Sequence, residues 1–425
     1  MALDRDPARS WHSARTAPPA GRLPRLLLEA GADGDLAAHV HRHGPVPNRG
    51  GPGLLLPTLE AAGLTGRGGA GFPAGRKWRT VAAGNRSAVV VGNGAEGEPA
   101  SGKDAVLLTT NPHLVIDGLL LAAEAVGARR TVLVLAPDRS VRGAVDTALR
   151  ERRDARRVEL VEASDRFVAG EESAVVDAIE GGPGLPRSTP PRVFDQGVGG
   201  RPTLVQNVET LAHVALVARY GADWFRGVGT TAEPGSLLTT VADAGGRWVA
   251  EVAHGAPLGS VVNVSDEVQA VLVGGYHGTW LSASVAHRAD LSRRSLSRWG
   301  ASPGAGVLVA LPASACGVVE TARVALYLAA DSAGQCGPCL NGLPRIAVVL
   351  EELARGRATR RDLDDLARWA GLVKHRGACG HPDGTVRFVR SALQVFDAEV
   401  EAHLAGSCRR TDARPVLPVP DVGGG

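Results

Sequence analysis

The run Gly63-Leu-Thr-Gly-Arg-Gly-Gly-Ala-Gly-Phe-Pro-Ala-Gly-Arg-Lys-Trp78 constrains this chain more than any other stretch of similar length. Five glycines fall between positions 66 and 75, and each costs a regular helix about 1 kcal/mol relative to alanine. The run therefore reads as a loop whose backbone is stripped of side chains. Over Gly66, Arg67, Gly68, Gly69, Ala70, Gly71 and Phe72, amide N–H groups can approach a flat or anionic ligand closely. Arg67 and Lys77 add positive charge suited to phosphates, and Phe72 offers a ring on which a base can stack. A merely flexible linker has no use for cations and aromatics packed into the same few residues.

Three further stretches carry the same kind of signal. Gly92-Asn-Gly-Ala-Glu-Gly-Glu-Pro-Ala-Ser-Gly-Lys-Asp104 directly follows the apolar strand Ala88–Gly92, the sheet-end position where nucleotides bind in α/β folds. There Asn93 suits a heterocycle edge, and Glu96 and Glu98 suit ribose hydroxyls. Phe167-Val-Ala-Gly-Glu-Glu-Ser-Ala174 opens a helix, and its carboxylates Glu171 and Glu172 also suit simple capping of that helix by charge. Gly200-Arg-Pro-Thr-Leu-Val-Gln-Asn-Val-Glu-Thr-Leu211 offers Thr203 and Asn207 as flavin or phosphate contacts. Of 47 basic residues only Lys77, Lys103 and Lys374 are lysine, and two of the three fall in these motifs. A lysine kept where arginine is the rule points to a site that a planar fork does not serve.

The alternation around these motifs defines the fold class. Short Val/Leu strands at 88–92, 131–135 and 158–161 alternate with helical spacing over 103–126 and 141–150, which implies an α/β domain with a covered parallel sheet over residues 51–225. Residues 1–50 read as a partly extended arm with a short helix near Leu23–Leu28 and another near Asp35–His43. Residues 226–295 read as short strands and Gly-rich turns, a small β-grasp-like module. Residues 296–405 read as a helical bundle, with Thr359 and Asp362 as an N-terminal cap, and 406–425 as a disordered tail. A net charge of +3 with mixed signs excludes nucleic acid as a partner. No run reaches the roughly 18–20 apolar residues of a membrane helix, and the N-terminus lacks the layout of a secretion signal. The expectation is therefore a cytoplasmic protein, free to dock peripherally on a membrane complex. Among the five cysteines, Cys336 and Cys339 form a C-x-x-C pair and Cys379 lies in another Gly-flanked turn, a pattern of metal or redox chemistry. Cys316 and Cys408 read as incidental.

Together, and in this order, the four stretches resemble the NADH-binding flavoprotein subunit of respiratory complex I and the related diaphorase subunits of hydrogenases and formate dehydrogenases. The resemblance spans about residues 55–400. It implies a Rossmann-like FMN and NADH domain, then a β-grasp (SLBB-like) module, then a helical iron–sulfur domain. Carried over by position, it assigns Gly66–Phe72 and Lys77 to the nucleotide loop. Asn93, Glu96, Glu98, Gly170, Glu171, Glu172 and Asn207 follow as cofactor contacts, with Glu98 on the NADH ribose and Phe72 on the adenine. Cys336, Cys339 and Cys379 become cluster ligands. No side chain is needed as a catalytic acid or base, because hydride transfer is carried by the cofactors.

The departures from the family pattern are specific. Ala95 stands where the family has Asp, Phe167 where it has Tyr, and Gln206-Asn207 where an Asn pair is usual. The cluster motif reads Ser332-Ala-Gly-Gln-Cys-Gly-Pro-Cys339, so Ala333 occupies the first ligand position. A [4Fe–4S] cluster normally takes four thiolates. Water, Ser332, His381 or Asp383 completing the set, a three-iron cluster, no cluster, and zinc on three cysteines with His381 all stay open. The functional expectation is an NADH dehydrogenase that passes electrons to a ferredoxin-like protein or a membrane reductase. A cluster-less diaphorase or a non-catalytic relative kept for assembly are the alternatives, and Arg79 leaves NADPH open as a substrate.

Overall fold

Val89, Val90 and Val91 are β-branched, apolar and buried on both faces, which suits the central strand of a covered parallel sheet. They form β1 (Val89–Gly94) in a computed structural model that describes residues 21–29, 31–47, 53–84, 87–188, 191–408, 410 and 414–420. With β2 (Arg130–Leu135), β3 (Val158–Glu162) and β4 (Thr203–Asn207), it builds a four-stranded sheet of order β3-β2-β1-β4, with every pairing parallel. The chain leaves β1 toward β2 on one side and returns as β4 on the other. The carboxyl ends of β1 and β4 therefore flank a topological switch point, where open sheets of this kind form a crevice. Asn93 and Asn207 stand opposite each other in that register.

The apolar spacing over 103–126 gives two helices, Lys103–Thr110 and Pro112–Ala125, bent by 97°. The cause is Asn111-Pro112: proline has no N–H to continue the ladder and disfavours helical geometry in the residue before it. Together the pair has the length and composition of a span, but much of it is buried in the core; no single helix among the described residues is long and apolar enough to cross a membrane. The expected final helix likewise divides at Phe396, into His381–Val395 and Asp397–Leu404. Thr359 and Asp362 form a full capping box at the start of the helix Arg360–Val373.

A second sheet of five strands follows: β5 (Ser236–Asp243), β6 (Gly246–Ala253), β7 (Val268–Val273), β8 (Thr279–Ser282) and β9 (Val307–Pro312), in the order β6-β5-β9-β7-β8. The strand β9 lies beyond residue 295, where the sequence reading ends its β module. It pairs parallel with β5 and antiparallel with β7, because Val307–Leu311 is a buried apolar run that needs strands on both edges. The bundle proper starts with the helix Gly317–Ala330. The tail also departs from expectation: Leu417 is buried, its N–H donates to Glu320, and the Tyr276 hydroxyl donates to the Pro418 carbonyl. A single leucine among prolines gives no periodic signal, yet it fills a core position.

The described part of the arm packs closely. The stretch around Leu23–Leu28 is not helical; its backbone amides at Arg25 and Leu26 donate to Glu251 instead, and Arg25 lies over the Trp224 ring at 3.9 Å. The helix Leu36–His43 forms as expected. Its His39 meets the buried Asp117 at 2.7 Å, and Asp117 also takes ion pairs from Arg152 and Arg219. Burial pushes the Asp117 carboxyl up, but the His39 hydrogen bond and the Arg219 and Arg152 charges outweigh it and hold it below the usual carboxylate range. Asp117→Ala leaves the buried Arg219 without its carboxylate and Arg152 with Asp154 alone, so we expect a loss of about 3–5 kcal/mol in urea unfolding. In the parent chain the contribution is intact above pH about 4, the unfolded carboxyl value, and fades as pH falls below it. The Asp117→Ala chain lacks that acid-side slope.

Candidate nucleotide and cluster site

Over the switch point lies a cavity of about 530 Å³, within the ~300–1,000 Å³ range of cofactor sites. All fifteen positions named as cofactor contacts line it: Gly66 to Phe72, Lys77, Asn93, Glu96, Glu98, Gly170 to Glu172, and Asn207. The sheet explains the convergence. Asn93 ends β1, Asn207 ends β4, and the helix Glu172–Ile179 starts soon after β3. The glycine loop arrives from the helix Leu56–Ala62 and is pinned to β4 by Trp78, whose indole N–H donates to Gln206 Oε1 at 3.1 Å. From the opposite side, Arg293 Nη2 donates to the Gly69 carbonyl at 2.6 Å. That guanidinium packs against Gly71, whose φ of +64° is the left-handed backbone that favours glycine. Gly170 is required by a different approach, since a Cβ would stand 2.5 Å from the Ala95 carbonyl.

Most polar groups at the rim are already paired with one another. Lys77 donates to Glu172 and to the Val205 carbonyl at 2.8 Å. Asn93 bridges, accepting from Ala95 N at 3.1 Å and donating to the Gly170 carbonyl at 2.9 Å. Glu171 caps the helix Glu172–Ile179 by accepting from Ser173 and Ala174 amides, the role that its place at a helix start also foretold. Arg67 does not reach out toward a phosphate; its guanidinium is buried, donating to the Ser236 and Thr65 carbonyls. Its Nη2 has no hydrogen-bond partner. Phe72 is about half exposed, with the Arg76 guanidinium over its ring at 5.7 Å.

The acidic residues are the most perturbed. Burial pushes the Glu98 carboxyl up to about 8, against the pull of the Tyr276 and Ala100 amides that donate to it. Burial, and after it the neighbouring Asp104, push Glu96 up to about 7. Beneath them lies Lys103, almost fully buried, 2.6 Å from Asp104 and 3.0 Å from Glu209. Burial alone would lower its ammonium value, but the carboxylates of Asp104, Glu209 and Glu96 outweigh that and raise it. Asp104 in turn accepts from Asn207 Nδ2 at 2.6 Å. Gln206 lines the cavity, while Glu209 and Arg293 brace Lys103 and the glycine loop from behind it; none of the three was a candidate contact. Glu209 reads as a helix residue and Arg293 sits in a polar turn, so neither announces itself. Arg79 faces away in a two-pronged pair with Glu60 on the surface, outside the cavity.

One wall of the cavity is Cys379, followed by His381. Cys339 is buried and its thiol is pushed up to about 12, first by burial and then by the adjacent Cys336, with Cys379 also near enough to contribute. The three expected cluster cysteines are thus brought near one another, Cys336 before and Cys339 within the π-helical turn Pro338–Gly342 that leads into the helix Leu343–Ala354, and Cys379 before the helix His381–Val395. Two of the proposed fourth ligands are otherwise engaged. His381 faces the Leu328 carbonyl through Nε2 at 2.8 Å and His277 through Nδ1 at 3.0 Å. Asp383 accepts from the His375 amide at 2.6 Å. Zinc on three cysteines with His381 would require breaking one of the imidazole's two contacts. Three thiolates fit an iron–sulfur group with one position lacking a cysteine.

Comparison with known proteins matches this layout. The family model for the Nuo51 FMN-binding domain matches residues 59–216, and that for the NADH-ubiquinone oxidoreductase-F iron-sulfur binding region matches residues 320–403. The alpha subunit of the NAD-reducing hydrogenase HoxS of Cupriavidus necator is 31% identical over 364 residues, covering 81% of this chain and 60% of that protein. This chain therefore spans less than two thirds of that relative's length. The F subunit of the NADH-quinone oxidoreductase of Streptomyces coelicolor is 28% identical over 385 residues, covering 84% of each chain. Among solved structures, an NAD+-reducing [NiFe]-hydrogenase in the air-oxidized state superposes with a TM-score of 0.77 at 34% identity, over 86% of this chain and 64% of that one. On the paired family matches and the shared fold, the chain belongs to the family of NADH-quinone oxidoreductase F subunits and the alpha subunits of NAD-reducing hydrogenases.

Proposed function

We propose that this chain is an NADH:acceptor oxidoreductase, taking hydride from NADH onto FMN and passing electrons through an iron–sulfur cluster to a partner protein. The observation that carries this reading is the convergence of all the nucleotide motifs on one cavity at the β1/β4 switch point. Two features of the cavity suit a flavin nucleotide. The buried Arg67 Nη2 lacks a partner, as expected of a donor awaiting an anionic or carbonyl oxygen. The wall at Gly66 and Gly68 presents bare backbone, with the Gln206 and Asn207 side chains only at ordinary contact distance. A bound flavin supplies the hydride-accepting ring and a cluster supplies one-electron carriage.

The protein's own groups then do the positioning. The loop Gly66–Phe72 offers amides to phosphates, and Phe72 a face to adenine. Glu96 and Glu98 accept from ribose hydroxyls, Glu171 and Glu172 shape the nicotinamide end, and Asn93 and Asn207 set the floor. Cys336, Cys339 and Cys379 would hold the cluster. We assign residues 51–225 as a Rossmann-like domain, the β5–β9 sheet as a β-grasp (SLBB-like) module and the later helices as the cluster domain. The relatives are named as subunits of larger enzymes, so the partner we propose is a ferredoxin-like protein or a membrane reductase, met at the cytoplasmic face.

The decisive experiment is an optical and EPR spectrum of anaerobically purified protein before and after NADH. Flavin bleaching with a new iron–sulfur signal is the expected result. Bleaching alone would restrict the chain to a flavin diaphorase, and absence of both flavin and iron after reconstitution would overturn the proposal. Gly66→Val is expected to fold normally, since a Cβ there meets nothing nearer than 3.6 Å, yet to bind FMN at least about tenfold more weakly, a loss of roughly 1.4 kcal/mol or more. The KM for NADH should rise about tenfold from pH 9 to pH 7 as Glu98, at about 8, takes up its proton. Glu98→Gln should flatten that profile, which steady-state kinetics across the range will show.

A further inference from the structure

The two cysteines that form no motif meet in space. Cys316 is the N-cap of the helix Gly317–Ala330, and His403 lies in the last turn of the helix Asp397–Leu404, 87 positions on. The Cys316 sulfur stands 3.2 Å from His403 Nε2. Cys408, just past that helix, brings its sulfur to the same point, and the three ligand atoms lie within 4.8 Å of one another. Cys316 and His403 are buried and Cys408 is exposed, so the cluster sits at the protein's edge with a path to solvent.

Three features make this a prepared site rather than a chance meeting. First, zinc bond lengths of about 2.3 Å to sulfur and 2.0 Å to nitrogen place tetrahedral ligand atoms roughly 3.5–3.8 Å apart, a spacing reached here by small side-chain rotations. Second, His403 is buried and turns Nε2 to the sulfur, so the imidazole is already aimed at the site. Third, the neighbouring carboxylate is itself anchored: Glu399 accepts from the Gly317 amide at 2.7 Å and from Arg410 at 3.0 Å, which holds it beside the Cys316 sulfur.

We infer that Cys316, His403 and Cys408 form a zinc site of two thiolates and one imidazole, with its fourth position open to water or solvent. Two sulfurs with one nitrogen select zinc among the divalent ions over magnesium or calcium, which take oxygen. The site is separate from Cys336, Cys339 and Cys379 and does not enter the electron path. Its position gives it a structural task. Arg410 links Glu399 to the Ala313 carbonyl, and a few residues later Leu417 is buried against Glu320. A metal at Cys408 would fasten the start of this segment to the helix that Glu320 belongs to, and the segment's end rests on Tyr276, whose amide holds Glu98.

The test is zinc content of the full-length protein after dialysis against a weak chelator, read by mass spectrometry of the metal, in the parent chain and in Cys408→Ser, Cys316→Ser and Cys336→Ser. Cys408 is exposed, so Cys408→Ser tests the site without risk to the fold, whereas the buried Cys316 carries that risk. The proposal expects about one zinc per chain in the parent and in Cys336→Ser, with affinity for added Zn²⁺ at least about a hundredfold lower in Cys408→Ser. Zinc retained in Cys408→Ser but lost in Cys336→Ser would overturn it by placing the metal at the cluster cysteines. A parent chain that binds no added Zn²⁺ under reducing conditions, or whose Cys316 and Cys408 are joined as a disulfide that reduction does not open to the metal, would overturn it equally.

Discussion

The buried ammonium of Lys103 is the interaction on which the nucleotide site rests. A charge taken out of water is tolerated only with partners placed around it, and here the partners come from different motifs. Asp104 belongs to the stretch after β1, while Asn207 and Glu209 belong to the stretch after β4. Glu209 also faces Arg67 at 3.9 Å and accepts from the Leu238 amide in β5 of the second sheet. Satisfying one lysine therefore draws the glycine loop, both strand ends and β5 to a common point. The crevice over the switch point follows from that packing as much as from the sheet order.

A second consequence concerns how the pocket is held open. Lys77 with Glu172, Asn93 with Gly170 and Glu171 with its own helix form a ring of internal contacts. Buried polar groups need such partners whether or not a ligand is present. Ligand binding on this scaffold exchanges hydrogen bonds instead of creating them from nothing, which limits the net gain per contact to about 0.5–1.5 kcal/mol. Affinity must then come from the many close backbone approaches that the glycines permit and from the unpartnered nitrogen of Arg67.

Much of this was legible in the sequence, for identifiable reasons. Glycine runs, paired acids after a strand and a C-x-x-C pair are local signals, and the structure gathers the first two around one cavity, although Arg67 turns inward. Valine-rich strands alternating with helices gave the parallel sheet. What escaped were features set by contacts across long separations. Arg293 reaches Gly69 over 224 positions, and nothing near Arg293 marks it. The strand β9 was hidden because it lies among helices and becomes a strand only between β5 and β7. The break at Asn111-Pro112 was written in the proline, but the apolar spacing on either side masked it. Leu417 and the pairing of Cys316 with His403 likewise depend on where distant chain segments cross.

The Arg293 contact also bears on how chains of this kind can be recombined. The boundary near residue 225 looks like a natural seam, with a glycine-bearing loop and a change from helix to sheet. Yet Arg293 holds the glycine loop from beyond that seam, Glu233 fixes the Arg293 amide at 2.8 Å, and Glu251 anchors the arm at Arg25. A chimaera joined there with a foreign C-terminal half inherits a nucleotide loop whose clamp has been left behind. The heritable unit is the loop together with the segment that carries its arginine and the sheet that holds that segment, so crossovers that keep it whole fall beyond β9, which ends at Pro312, not at 225.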